Sequence, residues 1–144
     1  MIIQFHKISD EAHTITVTRS DRTISVKSLN SRSFLFHDLA HFVLEIEIPL
    51  KSGFWGSVAD GADLDSANCD GADLLTAERI AGPFQTLVKN LAPASSYQHV
   101  LDGALTDCTH TDKLASAIHE RVRQVRGMWR ATPYGDKMEL TWPY

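Results

Sequence analysis

Three runs of alternating apolar and polar residues near the N-terminus limit most strongly what this chain can fold into. Residues 2–8 form the first run, Ile15 and Val17 mark the second, and Ile24 and Val26 mark the third. Alternation with a period of two, rich in β-branched residues, is typical of half-buried strands. The links between the runs are too short for parallel crossovers. The sequence therefore predicts an antiparallel meander of about three strands.

Helical patterns fill most of the chain after this meander. The first has apolar residues at the spacing of one helix face, namely Leu35, Leu39, Phe42, Val43 and Ile46. Ser33 is its predicted N-cap, and Pro49 ends it, because proline disfavours helical geometry at the residue before it. Further helices are predicted over residues 53–59, 76–91 with a kink or split at 82–83, 95–105, and 112–129 with a frayed end at Gly127.

A final strand or hairpin is predicted at the C-terminus. Met138, Leu140 and Trp142 alternate with Glu139 and Thr141 after a turn-forming segment. Strands followed by helices favour helices packed on one face of an antiparallel sheet. We therefore expect a single α+β domain that spans residues 1–144.

The composition excludes several classes of protein. The chain has 144 residues, is 43% hydrophobic and carries a formal charge of −4, so we expect no nucleic-acid binding. No apolar run approaches the ~18 residues of a membrane span, and we expect no membrane partner. Cys69 and Cys108 are too few for a disulfide framework. Together with the absence of a signal peptide, this predicts a cytoplasmic protein.

The most suggestive chemistry lies on the first predicted helix. His37, His41 and Glu45 follow one another at intervals of four residues and share a face, with Asp38 beside them. Two imidazoles one turn apart can chelate a divalent ion, as in the H-E-x-x-H pattern of zinc peptidases. Here aspartate replaces the glutamate, which argues against peptidase chemistry. The row predicts a zinc site with His37, His41 and Glu45 as ligands and Asp38 orienting a histidine.

A row of three ligands on one straight helix fits poorly around one tetrahedral ion. The outer two are about 11–12 Å apart along the axis, so a further ligand from another element is expected. The candidates are His6, His13, His99, Cys108, His110 and His119. The alternative is that the row is simply the solvent face of the helix, or that its histidines bond to backbone carbonyls.

Residues 60–75 are rich in aspartate and glycine and predict an irregular acidic loop. Their spacing does not match a calcium-binding EF-hand loop, because from Asp63 the positions that should ligate hold Ala67 and Leu74. We expect a solvated loop without a metal.

Several stretches resemble an uncharacterised family of small bacterial proteins. The resemblance rests on FHDLAHF at 36–42, Glu45, GFWG at 53–56 and WRATPYG at 129–135. No activity is established for that family, so the resemblance implies no reaction. It does imply that the histidine helix and the C-terminal tail are the parts of interest.

Two functions follow from these residues. The first is a divalent-metal site, which as an enzyme would be a metal-dependent hydrolase. The second is a non-enzymatic interaction module without a metal, binding a protein partner or a second copy of the chain. Its contact surface would be the face shared by Arg123, Arg126 and Arg130, or exposed aromatic residues at Phe54 and Trp55.

Overall fold

The computed structural model describes residues 1–64, 71–105 and 110–144, and the fold is α+β. The strands are β1 (Ile2–Lys7), β2 (Ala12–Thr18), β3 (Ile24–Asn30) and β4 (Lys137–Thr141). A π-helical turn (Ser31–Leu35) leads into α1 (Phe36–Glu47), which is followed by α2 (Phe54–Ala59), α3 (Ala72–Asn90), α4 (Ala94–Ala104) and α5 (Thr111–Ala131). The predicted order of strands, helices and a final strand is confirmed.

The sheet has four strands in the order β3-β2-β1-β4, and each neighbouring pair is antiparallel. Ile3 and Phe5 of β1 lie opposite Leu140 and Met138 of β4, and all four side chains are buried against the helices. Because side chains alternate between the two faces of a strand, this pairing places the apolar half of the C-terminal segment in the core.

The face of β3 that points toward the core is not the one that its apolar residues predict. Ile24 and Val26 are exposed, and Ser25, Lys27 and Leu29 point inward instead. The register explains this difference, because residues directly opposite one another share a face of the sheet. Lys27 pairs with the buried Ile15 of β2, so it faces the core.

Two predicted helix starts were wrong. Ser33 does not cap α1 but lies within the π-helical turn, which is capped by the Asn30 side chain through a hydrogen bond from the Arg32 amide. Helix α1 begins after this turn, at Phe36, without a side-chain cap. Helix α3 begins at Ala72, inside the segment predicted to be irregular, rather than at Thr76. Burial of Leu74 in the core stabilises this added turn.

Helix α3 is not split at residues 82–83, and α5 does not fray at Gly127. Helix α3 continues through Pro83, with Ile80 and Phe84 fully buried on either side of it. Packing on both sides outweighs the missing proline hydrogen bond. Helix α5 likewise passes Gly127 and ends at Ala131.

Helix α1 occupies the middle of the helical layer. Every residue from Asp38 to Glu45 is buried, and α1 contacts α2, α3 and α5. The Phe42 ring lies 6.3 Å from the Trp142 ring that follows β4. A helix surrounded in this way has little freedom to move, so its buried side chains are held in fixed positions.

Some predicted features fall outside the described residues. These are Cys69, Cys108 and the part of the acidic segment from residue 65 to residue 70. Among the helices that the structure describes, none combines the length and the apolar character needed to cross a membrane.

A buried guanidinium joins α2 to the sheet. Arg19, just after β2, is 8% exposed. It donates hydrogen bonds to the carbonyl oxygens of Val58 at 2.6 Å and Ala62 at 2.8 Å, and to the Ser25 hydroxyl at 3.0 Å. These bonds fix the C-terminal end of α2, whose other end reaches the histidine helix.

We predict that Arg19→Met lowers the free energy of unfolding by about 2–3 kcal/mol, because buried carbonyls lose charged donors. The control is Arg123→Met, since Arg123 is exposed and lies 3.7 Å from the equally exposed Glu120. That change should stay within about 0.5 kcal/mol of the parent. Urea unfolding measures both, and equal effects of the two substitutions would contradict the role given to Arg19.

Candidate metal centre

Helix α1 brings two imidazole rings together. His37 and His41 lie one turn apart on one face, and their ring centroids are 4.7 Å apart with planes tilted by 54°. His41 is 1% exposed, whereas the His37 side chain is 31% exposed. One histidine is thus anchored in the core and the other lies at the protein surface.

The third member of the group is Glu78 on α3. Its carboxylate oxygens lie 3.4 Å from Nε2 of His41 and 3.7 Å from Nε2 of His37. One ligand atom from each of the three residues lies within 4.8 Å of the other two. Because α3 packs directly against α1, a residue distant in sequence completes the group. A residue from another element therefore lies beside the two histidines, although it is not one of the candidates named from the sequence.

Glu45, predicted as a ligand, lies on the other side of His41. Its side chain is fully buried, and its Oε1 accepts hydrogen bonds from Nδ1 of His41 at 2.9 Å and from the Phe54 amide at 2.8 Å. Its Oε2 accepts a bond from the Trp55 amide at 2.9 Å. These donors hold the carboxylate away from Glu78, so Glu45 orients His41 instead of facing the shared space.

The hydrogen bond to Glu45 determines which nitrogen of His41 is available. A carboxylate accepts the proton of Nδ1, which leaves Nε2 directed toward Glu78. This Nε2 is buried and lies 3.4 Å from Oε1 of Glu78. A ligating histidine bound to a carboxylate through its other nitrogen is the usual arrangement in metal sites.

The charges around His41 favour its protonated form in the absence of a metal. Burial lowers its pKa, but hydrogen bonds and charge interactions with Glu45 and Glu78 outweigh burial and raise the pKa to about 9. The hydrogen bond to His41 in turn lowers the pKa of Glu78 against a smaller effect of desolvation. The proton on His41 at neutral pH is therefore stabilised by two carboxylates.

Asp38 contacts His37 as the sequence predicted, although loosely. Its Oδ1 lies 3.4 Å from Nδ1 of His37, and its backbone oxygen accepts a bond from the Trp55 indole at 3.1 Å. Its Oδ2 is buried without a hydrogen-bond partner in the described part of the chain. Asp38 is thus placed to orient His37, as Glu45 orients His41.

The spacing of the group can be compared with that of a zinc site. Bonds of about 2.0–2.1 Å in a tetrahedron separate neighbouring donors by about 3.3–3.4 Å. The contacts of Glu78, at 3.4 and 3.7 Å, are made by different oxygens of its carboxylate, and one ligand atom from each residue lies within 4.8 Å of the other two, so closing around an ion requires some movement. The exposed side chains of His37 and Glu78 can supply the remaining adjustment, because neither is held in the core.

The histidines proposed as additional ligands lie elsewhere. His13 is buried on β2 and bonds to the Ser31 hydroxyl at 3.0 Å, and His6 is on the neighbouring strand β1. His99 and His110 are exposed, and His119 lies near the Tyr97 ring. None of these described residues belongs to the group formed by Glu78 and the two α1 histidines.

Glu78 was missed because its position depends on how two helices pack. A sequence signal existed, since Glu78 follows the buried Leu74 by four residues and precedes the buried Ala81 by three. That spacing places it beside the core face of α3. Because the predicted helix began at Thr76, Leu74 was not counted in its apolar pattern.

The two surfaces predicted for an interaction module are not available as expected. Trp55 is fully buried, with its ring 6.2 Å from that of Phe5, and Phe54 is half-buried against Trp55. Arg126 donates hydrogen bonds to the backbone oxygens of Val88 and Lys89 at the end of α3. The expectation of exposed aromatic residues was therefore wrong, and the arginine face is partly used within the fold.

Gly53 allows α2 to approach the buried carboxylate. A Cβ at this position would lie 2.4 Å from the carboxyl carbon of Glu45. We predict that Gly53→Ala destabilises the protein by about 1–3 kcal/mol. Gly82→Ala is the control, because a Cβ there meets no atom within 4 Å. Inside α3 it should stabilise by about 0.5–1 kcal/mol, so destabilisation of similar size in both variants would refute the close approach.

The raised pKa of His41 predicts how the stability of the metal-free protein depends on pH. Its value of about 9 in the folded chain lies above the ordinary 6.5. The stabilisation is therefore complete below pH 6.5 and is lost as the pH rises through 9. Urea unfolding between pH 6 and pH 10 should show this decline in the parent and a flatter profile in His41→Gln. Parallel profiles would contradict the assignment.

No protein-family model, curated protein or solved structure matches this chain. The group of His37, His41 and Glu78 is therefore assigned from the distances and contacts of this chain alone.

Proposed function

We propose that this protein binds a divalent metal ion, preferentially zinc, through His37, His41 and Glu78. One observation carries the proposal: two helices bring two imidazoles and a carboxylate within 4.8 Å of one another. The hydrogen bond from His41 to Glu45 supports it, because it leaves Nε2 of that buried ring facing Glu78.

The donor set favours zinc over harder ions. Imidazole nitrogens suit zinc and neighbouring transition metals, whereas magnesium and calcium prefer oxygen donors throughout. Two histidines and one glutamate form the protein ligands of several catalytic zinc sites, which keep a fourth position open. We therefore assign Glu78 the place that the sequence analysis gave to Glu45.

Metal and proton compete for the same atom of His41. Without metal, the protonated ring lies between Glu45 and Glu78, which stabilise its charge. An ion can replace that proton at Nε2 while Nδ1 continues to donate to Glu45. Zinc binding near neutral pH should therefore release a proton. The hydrogen bond between His41 and Glu45 is the same before and after this exchange.

The reaction class that such a site supports is metal-assisted hydrolysis. An ion with three protein ligands can polarise a carbonyl group or activate water at its open position. Asp38 contacts His37 at 3.4 Å and would limit the rotation of that ring. Hydrolysis at this site depends on the bound metal, so metal binding is the first property to test.

Isothermal titration of the metal-stripped protein with zinc should give one equivalent of binding. His37→Ala, His41→Ala and Glu78→Gln should each weaken binding by more than about a hundredfold. Glu45→Gln should weaken it by about 10–100-fold, which is typical of residues that support a ligand without touching the ion. His99→Ala and Glu120→Gln serve as matched controls, because both residues are exposed and lie outside the group.

Parent-like affinity in both controls completes the expected pattern. Failure of the parent protein to bind a stoichiometric amount of zinc would overturn the proposal. Undiminished affinity in Glu78→Gln would remove Glu78 from the ligand set. Titrations in buffers of different ionisation enthalpy should also show about one proton released per ion at pH 7.

A further inference from the structure

A cleft of about 250 Å³ lies beside the proposed metal centre. His37, Asp38 and Glu78 line one part of its wall. Two of the three proposed ligands therefore border this space, whereas the third, His41, is only 1% exposed. The cleft is thus the side from which a further ligand could reach an ion held by the group.

Most of the remaining wall is apolar. It is formed by side chains from β2, β3, the π-helical turn and the segments around α2, namely Ile15, Leu29, Phe34, Phe54 and Leu64. Sites for drug-sized ligands usually enclose about 300–1,000 Å³. The smaller volume here fits a compact ligand of roughly the size of one ring, and the wall favours a hydrocarbon body.

Three carboxylates offset the charge of a bound ion. The ion contributes two positive charges, and histidines are neutral when they coordinate. Glu78 belongs to the ligand group, Asp38 lies 3.4 Å from Nδ1 of His37, and Glu45 lies 2.9 Å from Nδ1 of His41. Each ionised carboxylate contributes one negative charge. The ion and these three groups together therefore carry one negative charge.

Lys27 of β3 also belongs to the cleft wall, where it donates a hydrogen bond to the backbone oxygen of Leu64 at 3.0 Å. Even if its whole charge acts on the cleft, the sum with the ion and the three carboxylates is zero, and any screening of that charge makes the sum negative. The loaded cleft therefore does not attract an anion. Its apolar wall also disfavours a charged ligand of either sign, because the charge would lose its water of solvation there.

From these features we infer that the cleft binds an uncharged carbonyl compound with a compact hydrocarbon group, such as a small amide. Its carbonyl oxygen occupies the open position of the metal, which can polarise it, and its hydrocarbon group lies against Leu29 and Phe34. This inference rests on the proposed metal function and adds the class of ligand to it.

The test uses the full chain loaded with cobalt(II), whose visible spectrum reports changes in coordination. Benzamide has all the inferred features, benzoate has nearly the same shape with a negative charge, and acetamide lacks the ring. Benzamide should perturb the cobalt spectrum and bind at least about tenfold more tightly than acetamide, because its ring is buried in the cleft. It should also bind at least about threefold more tightly than benzoate, because the negative charges around the metal repel an anion.

Asp38→Asn tests the balance of charge. The substitution preserves the shape of the side chain and removes one negative charge, so benzoate should bind at least about threefold more tightly than it does to the parent. The affinity for benzamide should change by less than about twofold, since an uncharged ligand responds weakly to one charge. Asp112→Asn is the matched control, because Asp112 is exposed and does not line the cleft. Cobalt content and melting temperature are measured first for the parent and every variant.

Two further variants test the apolar wall. Phe34→Ala and Leu29→Ala should each reduce the preference for benzamide over acetamide by at least about threefold. Phe34 is 47% exposed, so its replacement leaves the core intact. Leu75→Ala should keep the full preference, because Leu75 is 68% exposed and does not line the cleft.

The outcomes distinguish this inference from the proposal beneath it. If the parent protein does not bind cobalt, the metal centre is overturned and the ligand class with it. If cobalt binds but benzamide has no advantage over acetamide, or none over benzoate, the metal centre stands and the inference is overturned. A preference for benzamide that survives in Phe34→Ala and Leu29→Ala would also overturn it, because the apolar wall would then play no part.

Discussion

The buried carboxylate of Glu45 organises the region around the candidate site. It accepts hydrogen bonds from the His41 ring and from the amides of Phe54 and Trp55, and so joins α1 to the start of α2. A buried carboxylate without such partners costs several kcal/mol, so the two helices must meet at this point. Gly53 makes the approach possible, because a Cβ there would collide with the carboxyl group. The orientation of His41 follows from this arrangement.

The packing around that contact fixes the positions of α1 and α2. Arg19 bonds to the backbone at the far end of α2, and Trp55 is buried against Phe5 of the sheet while its indole bonds to Asp38. The short helix is therefore fixed at both ends, and α1 is fixed by it. His41 projects from this rigid part of the molecule, whereas His37 and Glu78 are partly exposed and can adjust. An ion would meet one preset ligand and two adaptable ones.

The fold was largely predictable, because burial on one side of a strand or helix requires apolar residues at a regular period in the sequence. The meander, the C-terminal strand and α1 all follow from that period. The face of β3 did not, because Ile24 and Val26 carry the apolar signal while the register with β2 turns Lys27 inward. The site was predictable in part: spacing brought the two histidines together and required another element, but only the packing of α3 on α1 identifies Glu78. Nor could spacing show that Glu45 accepts hydrogen bonds from the backbone amides of Phe54 and Trp55.

The arrangement places a proton where a metal could bind. His41 stands between two carboxylates, one buried and satisfied, the other half-exposed at the surface. The most direct test is a crystal of the zinc-soaked protein measured on both sides of the zinc absorption edge. We predict an anomalous peak about 2.0–2.1 Å from Nε2 of His41 and from a Glu78 oxygen, with the bond from His41 to Glu45 intact. A peak bound to Glu45, or no peak near His41 in protein that diffracts well, would contradict it.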